Sequence, residues 1–221
     1  MKRLLYGLFA LAFAPAVFAS GAGSVPSMNT RSPHDDAVQY YNSGERRLEK
    51  LTKMHDEMKA ATDPQKAADL QKKIGKGLES AAADFQRATQ NDPNLFQAWS
   101  ELGFTLRKLG KYSESLDAYN RALSIEAGFS PAIEYRAEAY LGLNQLDDVK
   151  AAYMLLFAGD RPRADVLMVS MKSWIADRRA NPNGLDAAKL DEFAKWIEQR
   201  QTITGQTTSV TTADANTFRS W

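Results

Sequence analysis

The stretch Trp99-Ser100-Glu101-Leu102-Gly103, continued by Leu106, Gly110, Tyr112, Tyr119 and Ala122, is the part of the chain from which the rest can be laid out. It predicts a helix from about Leu95 to Leu109, a left-handed turn at Gly110, and a second helix over Ser113 to Ile125 that Gly128 stops. Ser130-Pro131 opens another helix, running to Leu143, and Asn144 then stands where Gly110 stood. Leu146 to Phe157 is its partner, ended by Gly159. The interval between matching positions is constant. Trp99 to Ile133, Gly103 to Ala137, Gly110 to Asn144 and Tyr119 to Tyr153 all span the same length of chain. One interval before Tyr119 stands Phe85, and one before Ala122 stands Ala88. Helix–turn–helix units repeating at a fixed period of about 34 residues predict a stacked array.

On these residues the chain resembles the tetratricopeptide repeats. Trp99, Leu102, Gly103, Tyr119 and Ala122 carry the pattern in one unit, and Ala137, Tyr140, Asn144 and Tyr153 carry it in the next. Ala81, Phe85, Ala88 and Pro93 supply the second half of an earlier unit. Ser115 and Val149 depart from it, standing where a small Ala is usual, and Arg136 replaces an apolar residue. No Pro follows either full repeat in register. The resemblance implies an all-α fold, a right-handed superhelical array of antiparallel helix pairs.

Each unit leaves an apolar face uncovered, so both ends need covering. At the front, Ser32-Pro33 and Asp63-Pro64 are helix starts, and two long helices follow, to about Ala61 and Asn91. The short join makes them an antiparallel hairpin, an elongated first repeat in which Tyr40, Tyr41 and Gly44 resemble the start of a unit. At the back, a helix from Asp160-Arg161-Pro162 to about Arg178 carries the stripe Leu167, Met171, Trp174 and Ile175. A last helix, Asp186 to about Gln201, is expected to turn Leu190, Phe193, Ala194 and Ile197 inward as a cap. The division is therefore 1–19 signal peptide, 20–32 flexible leader, 33–93 hairpin, 94–129 and 130–160 repeats, 161–201 capping helices and 202–221 flexible tail. The aromatic end of that tail, Phe218-Arg219-Ser220-Trp221, is read as loose, with docking on its own array or a neighbour as the alternative.

The first residues read as an address. Lys2 and Arg3 precede an apolar run from Leu4 to Phe18, and Val17-Phe18-Ala19 offers small residues for cleavage after Ala19. The run is short for a membrane span of about 20 residues. The expectation is a periplasmic or secreted protein with no stable membrane insertion once the signal is removed. The 221 residues contain no Cys, which excludes disulfides, thiolate catalysis and attachment of lipid through Cys. A net charge of +1 gives no reason to expect nucleic acid as a partner.

Catalytic chemistry has no constellation to rest on. His34 and His55 lie far apart along the chain, with no paired-histidine spacing between them. The neighbouring residues in His34-Asp35-Asp36 and His55-Asp56-Glu57 point in different directions on a helix. Gly75-Lys76-Gly77 falls inside a helical pattern and is no phosphate loop. We therefore expect a non-enzyme without metal or cofactor.

In the tetratricopeptide family the first helix of each repeat lines a concave groove. The resemblance places Gln97, Ser100, Glu101, Phe104, Arg107 and Lys108 there from one repeat, and Glu134, Tyr135, Glu138 and Leu141 from the next. Phe104 and Glu138 stand where chaperone-adaptor members carry Asn, so their carboxylate clamp is not expected. The expected role is a protein–protein interaction scaffold of the cell envelope that binds a peptide or protein. The alternative is an assembly factor working through the long hairpin and self-association.

Overall fold

In the computed structural model, residues 31–217 are described, with side chains from 31 to 203. The signal peptide, most of the leader and the aromatic end Phe218–Trp221 lie outside the described residues. The described residues form eight helices and no strand. They are α1 (Pro33–Ala60), α2 (Pro64–Asn91), α3 (Phe96–Lys108), α4 (Tyr112–Ile125), α5 (Ser130–Gly142), α6 (Leu146–Gly159), α7 (Arg161–Ala180) and α8 (Ala187–Thr217). Each packs on the next, and α3, α5 and α7 also touch in a second row. This is an all-α stack of consecutive helix pairs, the architecture of a tetratricopeptide-type solenoid.

Local chemistry sets the helix ends. Ser32 and Asp35 form a reciprocal capping box on α1: the Asp35 amide donates to Ser32 Oγ at 3.1 Å and the Ser32 amide to Asp35 Oδ2 at 3.2 Å. The Ser32 hydroxyl, which donates to Asp35 Oδ2 at 2.8 Å, and the Ser32 amide lower the Asp35 pKa. Asp63 caps α2 through the Gln65 amide, and Asp160 caps α7 through the Arg163 amide. The turns inside the two repeats match. Gly110 has φ +77° and Asn144 φ +58°, and each precedes an amide that reaches back to a helical carbonyl. These are Lys111 N–H to Leu106 O at 3.0 Å and Gln145 N–H to Tyr140 O at 2.9 Å.

The packing explains the small residues. A Cβ on Gly103 would lie 2.7 Å from the Tyr119 ring, so α3 and α4 approach at a distance only Gly permits. Gly44 stands in the same relation to Phe85, where a Cβ would lie 2.5 Å from the ring. Much more chain separates Gly44 from Phe85 than separates Gly103 from Tyr119. The hairpin α1–α2 therefore holds a repeat's packing pair with an insertion between its members. Further out, Gly77 presses on the Leu51 side chain. The hairpin also has a polar lock: Asp84, nearly buried, accepts from Ser43 Oγ at 2.8 Å and Arg47 Nε at 2.7 Å. His34 Nδ1 meets Asp92 at 2.6 Å and joins the two ends of the hairpin.

The departures from the family pattern have local causes. Ser115 is buried and its hydroxyl donates to the Gly103 carbonyl at 2.8 Å. Arg136 donates to Asn120 at 2.8 Å and lies over the Tyr140 ring. Val149 is fully buried.

Three adjoining apolar clusters run along the stack. Leu48, Leu51, Ala81, Phe85 and Leu102 join the hairpin to α3. Tyr119, Ala122, Ala132 and Ala139 join α4 to α5. The largest spans α5 to α8 and includes Ile133, Leu156, Leu167, Met171 and Phe193. In α8, Leu190, Phe193, Ala194 and Ile197 are buried, while Lys189, Asp191, Glu192, Lys195 and Glu198 are exposed. That helix continues to Thr217, beyond the end at Gln201 and into the stretch read as a flexible tail. No helix of the described residues is long and apolar enough to cross a membrane.

Candidate functional site

The row α3, α5, α7 brings a set of charged and aromatic side chains together. Phe104 and Lys108 come from α3 with Arg107, one helical turn past Phe104. Glu134 and Tyr135 are neighbours on α5, and Glu138 lies one turn further on. Arg163 and Ser170 come from α7. Arg107 forms an ion pair with Glu138, and Glu138 also accepts from Ser170 Oγ at 2.6 Å. Glu134 forms a second ion pair with Arg163, and both are nearly buried. The three helices are thus linked by two cation–carboxylate pairs and one hydroxyl.

Aromatic rings fill the space between the charges. Phe104 and Tyr135 stand 5.4 Å apart, centroid to centroid. The Arg107 guanidinium lies 5.5 Å from each of the two ring centroids. Arg163 lies 5.7 Å from the Tyr135 ring, and Lys108 Nζ 5.6 Å from Phe104.

Burial controls the protonation of this cluster. It raises the Glu134 carboxyl above the usual carboxylate range, against the pull of Arg163. Burial likewise raises the Tyr119 and Tyr135 phenols, opposed by Arg107 and Arg163 respectively. Arg107 loses hydration, but Tyr119 and Glu138 outweigh that loss, and its pKa ends above the ordinary value. The Tyr119 hydroxyl lies beside Arg107 without reaching good hydrogen-bond geometry. In this arrangement opposite charges pair across neighbouring helices, and the Phe104 and Tyr135 rings are half-buried between them.

The ten residues expected in the groove separate into two sets. Phe104, Arg107, Glu134, Tyr135 and Glu138 form the connected cluster, and Lys108 joins it through Phe104. Glu101 acts electrostatically on Tyr41, Tyr119 and Tyr135 and so stands beside it. Gln97 is half-buried. Ser100 is buried, and its hydroxyl has no hydrogen-bond partner among the described residues. Leu141 belongs to the apolar core. Arg163 and Ser170 were not among the expected residues. The signal for Arg163 was the start of α7: that helix begins at Arg161, earlier than Ser130 in the repeat register, which puts Arg163 on the helix. Among the described residues no group of three or more His, Asp or Glu could hold a metal ion.

Comparison with known proteins places a match within this region. The tetratricopeptide repeat family model matches residues 96–129, the α3–α4 pair. No curated protein sequence matches the chain. Among solved structures, a MamA double mutant (RS-1, ArsTM) is similar at 18% identity, covering 76% of this chain and 97% of that one, with a TM-score of 0.36.

Proposed function

We propose, from the tetratricopeptide repeat matched over residues 96–129 and the helix pairs stacked beside it, that the row α3, α5, α7 is a docking groove for a peptide or protein segment. The repeats support a protein–protein interaction scaffold as the general role. One observation carries the finer reading: Phe104 and Tyr135 form a partly exposed aromatic pair held in place by Arg107. Paired charges beneath the rings leave little net field, so recognition falls to an apolar or aromatic anchor packed against them, with Lys108 at the edge. The wall is pre-organised, and binding would need little reordering of the protein.

The role is read as non-catalytic and located in the cell envelope. The support for that location is Lys2, Arg3, the apolar run to Phe18 and the small residues at Val17 and Ala19. Mass spectrometry of the exported protein, with a mature N-terminus at Ser20, is the expected outcome; a chain retaining Met1 in the cytoplasm would refute it.

Crosslinking capture from the native envelope tests the groove. The Phe104→Ala/Tyr135→Ala variant is expected to lose the partners that wild type retains. An unchanged partner list removes the groove as the working surface. Glu138→Ala is a poorer probe, because it leaves Arg107 buried without its carboxylate.

A further inference from the structure

The inner row begins one helix before the cluster on α3 and α5. Glu45 follows Gly44 in α1 as Phe104 follows Gly103 in α3, and each glycine lies against the ring of its paired helix. Glu101 stands two residues before Gly103, as Tyr135 stands two before Ala137. Phe104 meets Tyr135 across α3 and α5, so the matching positions across α1 and α3 are Glu45 and Glu101. The packing agrees with this register. Leu48 of α1 and Leu102 of α3 share one apolar cluster, with Tyr41 and Phe104 packed against it. Burial raises the Tyr41 phenol, and the charges of Glu45 and Glu101 raise it further, so both carboxylates act on one ring from two helices. Tyr41, Glu45 and Glu101 are all half-buried.

Charge is uneven along the row. Arg107 is held by Glu138 and Arg163 by Glu134, so the side towards α7 is neutral. On α1, Lys53 pairs with Glu49, and Arg47 turns to Asp84 of α2. Arg46 lines a separate shallow recess with Arg31 and Asp35. The further cation of the row is Lys108, exposed at the edge beside Phe104. Its single positive charge, set in full against the two carboxylates Glu45 and Glu101, still leaves the α1 end of the groove negative.

We propose that Glu45 and Glu101 form an acidic subsite of the groove, one repeat ahead of the Phe104–Tyr135 pair, that takes the Lys or Arg side chain of the docked segment. This subsite depends on the groove described above and specifies its partner, a segment that combines an aromatic or apolar anchor with a cation. Two carboxylates from different helices offer several acceptor oxygens to an ammonium or guanidinium group. Packed helices stand about 8–10 Å apart, and an extended chain advances about 3.3 Å per residue. Anchor and cation therefore fall about three residues apart in the partner. An acidic segment is rejected at the same place by like charge.

Panning a random decapeptide phage library on the full chain tests this assignment. Wild type is expected to enrich peptides with an aromatic residue and, about three positions away, Lys or Arg. Glu45→Gln/Glu101→Gln keeps the shape of both side chains and should still enrich the aromatic residue, but without the cation. Phe104→Ala/Tyr135→Ala should enrich neither. In fluorescence polarisation on wild type, norleucine in place of the Lys or Arg of a selected peptide should raise its Kd about tenfold. On Glu45→Gln/Glu101→Gln the same replacement should change the Kd little. The measurement on wild type decides the matter even where the Gln variant unfolds. A wild type that enriches no aromatic peptide removes the groove and the subsite with it. Aromatic peptides without a cation, or a Kd that norleucine leaves unchanged, overturn the acidic subsite and leave the groove standing. A cation preference that survives in Glu45→Gln/Glu101→Gln overturns it as well.

Discussion

Glu134 is the most constrained charge on the inner row: it is 2% exposed and has Arg163 as its cation. Removing that cation leaves a buried carboxylate uncompensated, so Arg163→Met is expected to cost about 3–5 kcal/mol at neutral pH. The double variant Arg163→Met/Glu134→Met should recover most of the loss, because both charges are then gone. The pH dependence has a definite sign. Burial already raises the Glu134 pKa in the folded state, and loss of Arg163 raises it further. The folded protein then binds this proton more tightly than the unfolded chain. The penalty is complete above the folded pKa and shrinks as pH falls through it towards the unfolded value. Urea unfolding should show a smaller deficit for Arg163→Met at pH 5 than at pH 8; a larger deficit at pH 5 would contradict the assignment. The glycines divide by the same reasoning. Gly44→Ala and Gly103→Ala push a methyl group into the Phe85 and Tyr119 rings and should each cost about 1–3 kcal/mol. Gly75 lies within α2, and a Cβ there would meet nothing within 4 Å. Gly75→Ala should therefore stabilise by roughly 0.5–1 kcal/mol.

The hairpin α1–α2 is the element that sets this chain apart from a plain array. Its proximal half contains the Gly44–Phe85 contact, and its distal half adds the Leu51–Gly77 contact and the exposed turn between α1 and α2. Deleting residues 53–77, with a glycine placed at the new junction, leaves the proximal contacts and the Asp84 lock in place. That variant is expected to unfold cooperatively, as read by circular dichroism. If it folds but loses the partners that the Phe104→Ala/Tyr135→Ala variant keeps, the hairpin is the working surface and the groove is not. The hairpin was legible because Ser32-Pro33 and Asp63-Pro64 mark both helix starts and only a few residues separate the helices. The extent of α8 was not. Threonines and the single Gly205 lower helix propensity after Gln201, yet the helix continues to Thr217.

At the scale of the whole molecule, the open ends of the stack decide its solubility. Trp174 and Phe193 stand 5.8 Å apart, and Tyr153 and Trp196 5.5 Å apart, so α8 covers the last rings of the stack. Truncation after Ala180 removes that cover and is expected to aggregate, whereas truncation after Ile203 should stay soluble and cooperative; light scattering separates the two. The sequence alone determined the repeat and its scaffold, because packing side chains recur at a fixed interval wherever identical helix pairs stack. Trp99, Gly103, Tyr119, Gly110 and Asn144 announce the unit through size and backbone conformation, both local properties. Only the tertiary structure decided which groove charges cancel. Arg107 and Glu138 come from successive first helices, as do Glu134 and Arg163, and neither pair is spaced by the repeat interval. Each pair forms because those helices lie side by side, and no residue pattern at the repeat period records it. The same holds for α6. Leu155 falls within the helix read from Leu146 to Phe157, and only the tertiary structure shows that its side chain stays exposed.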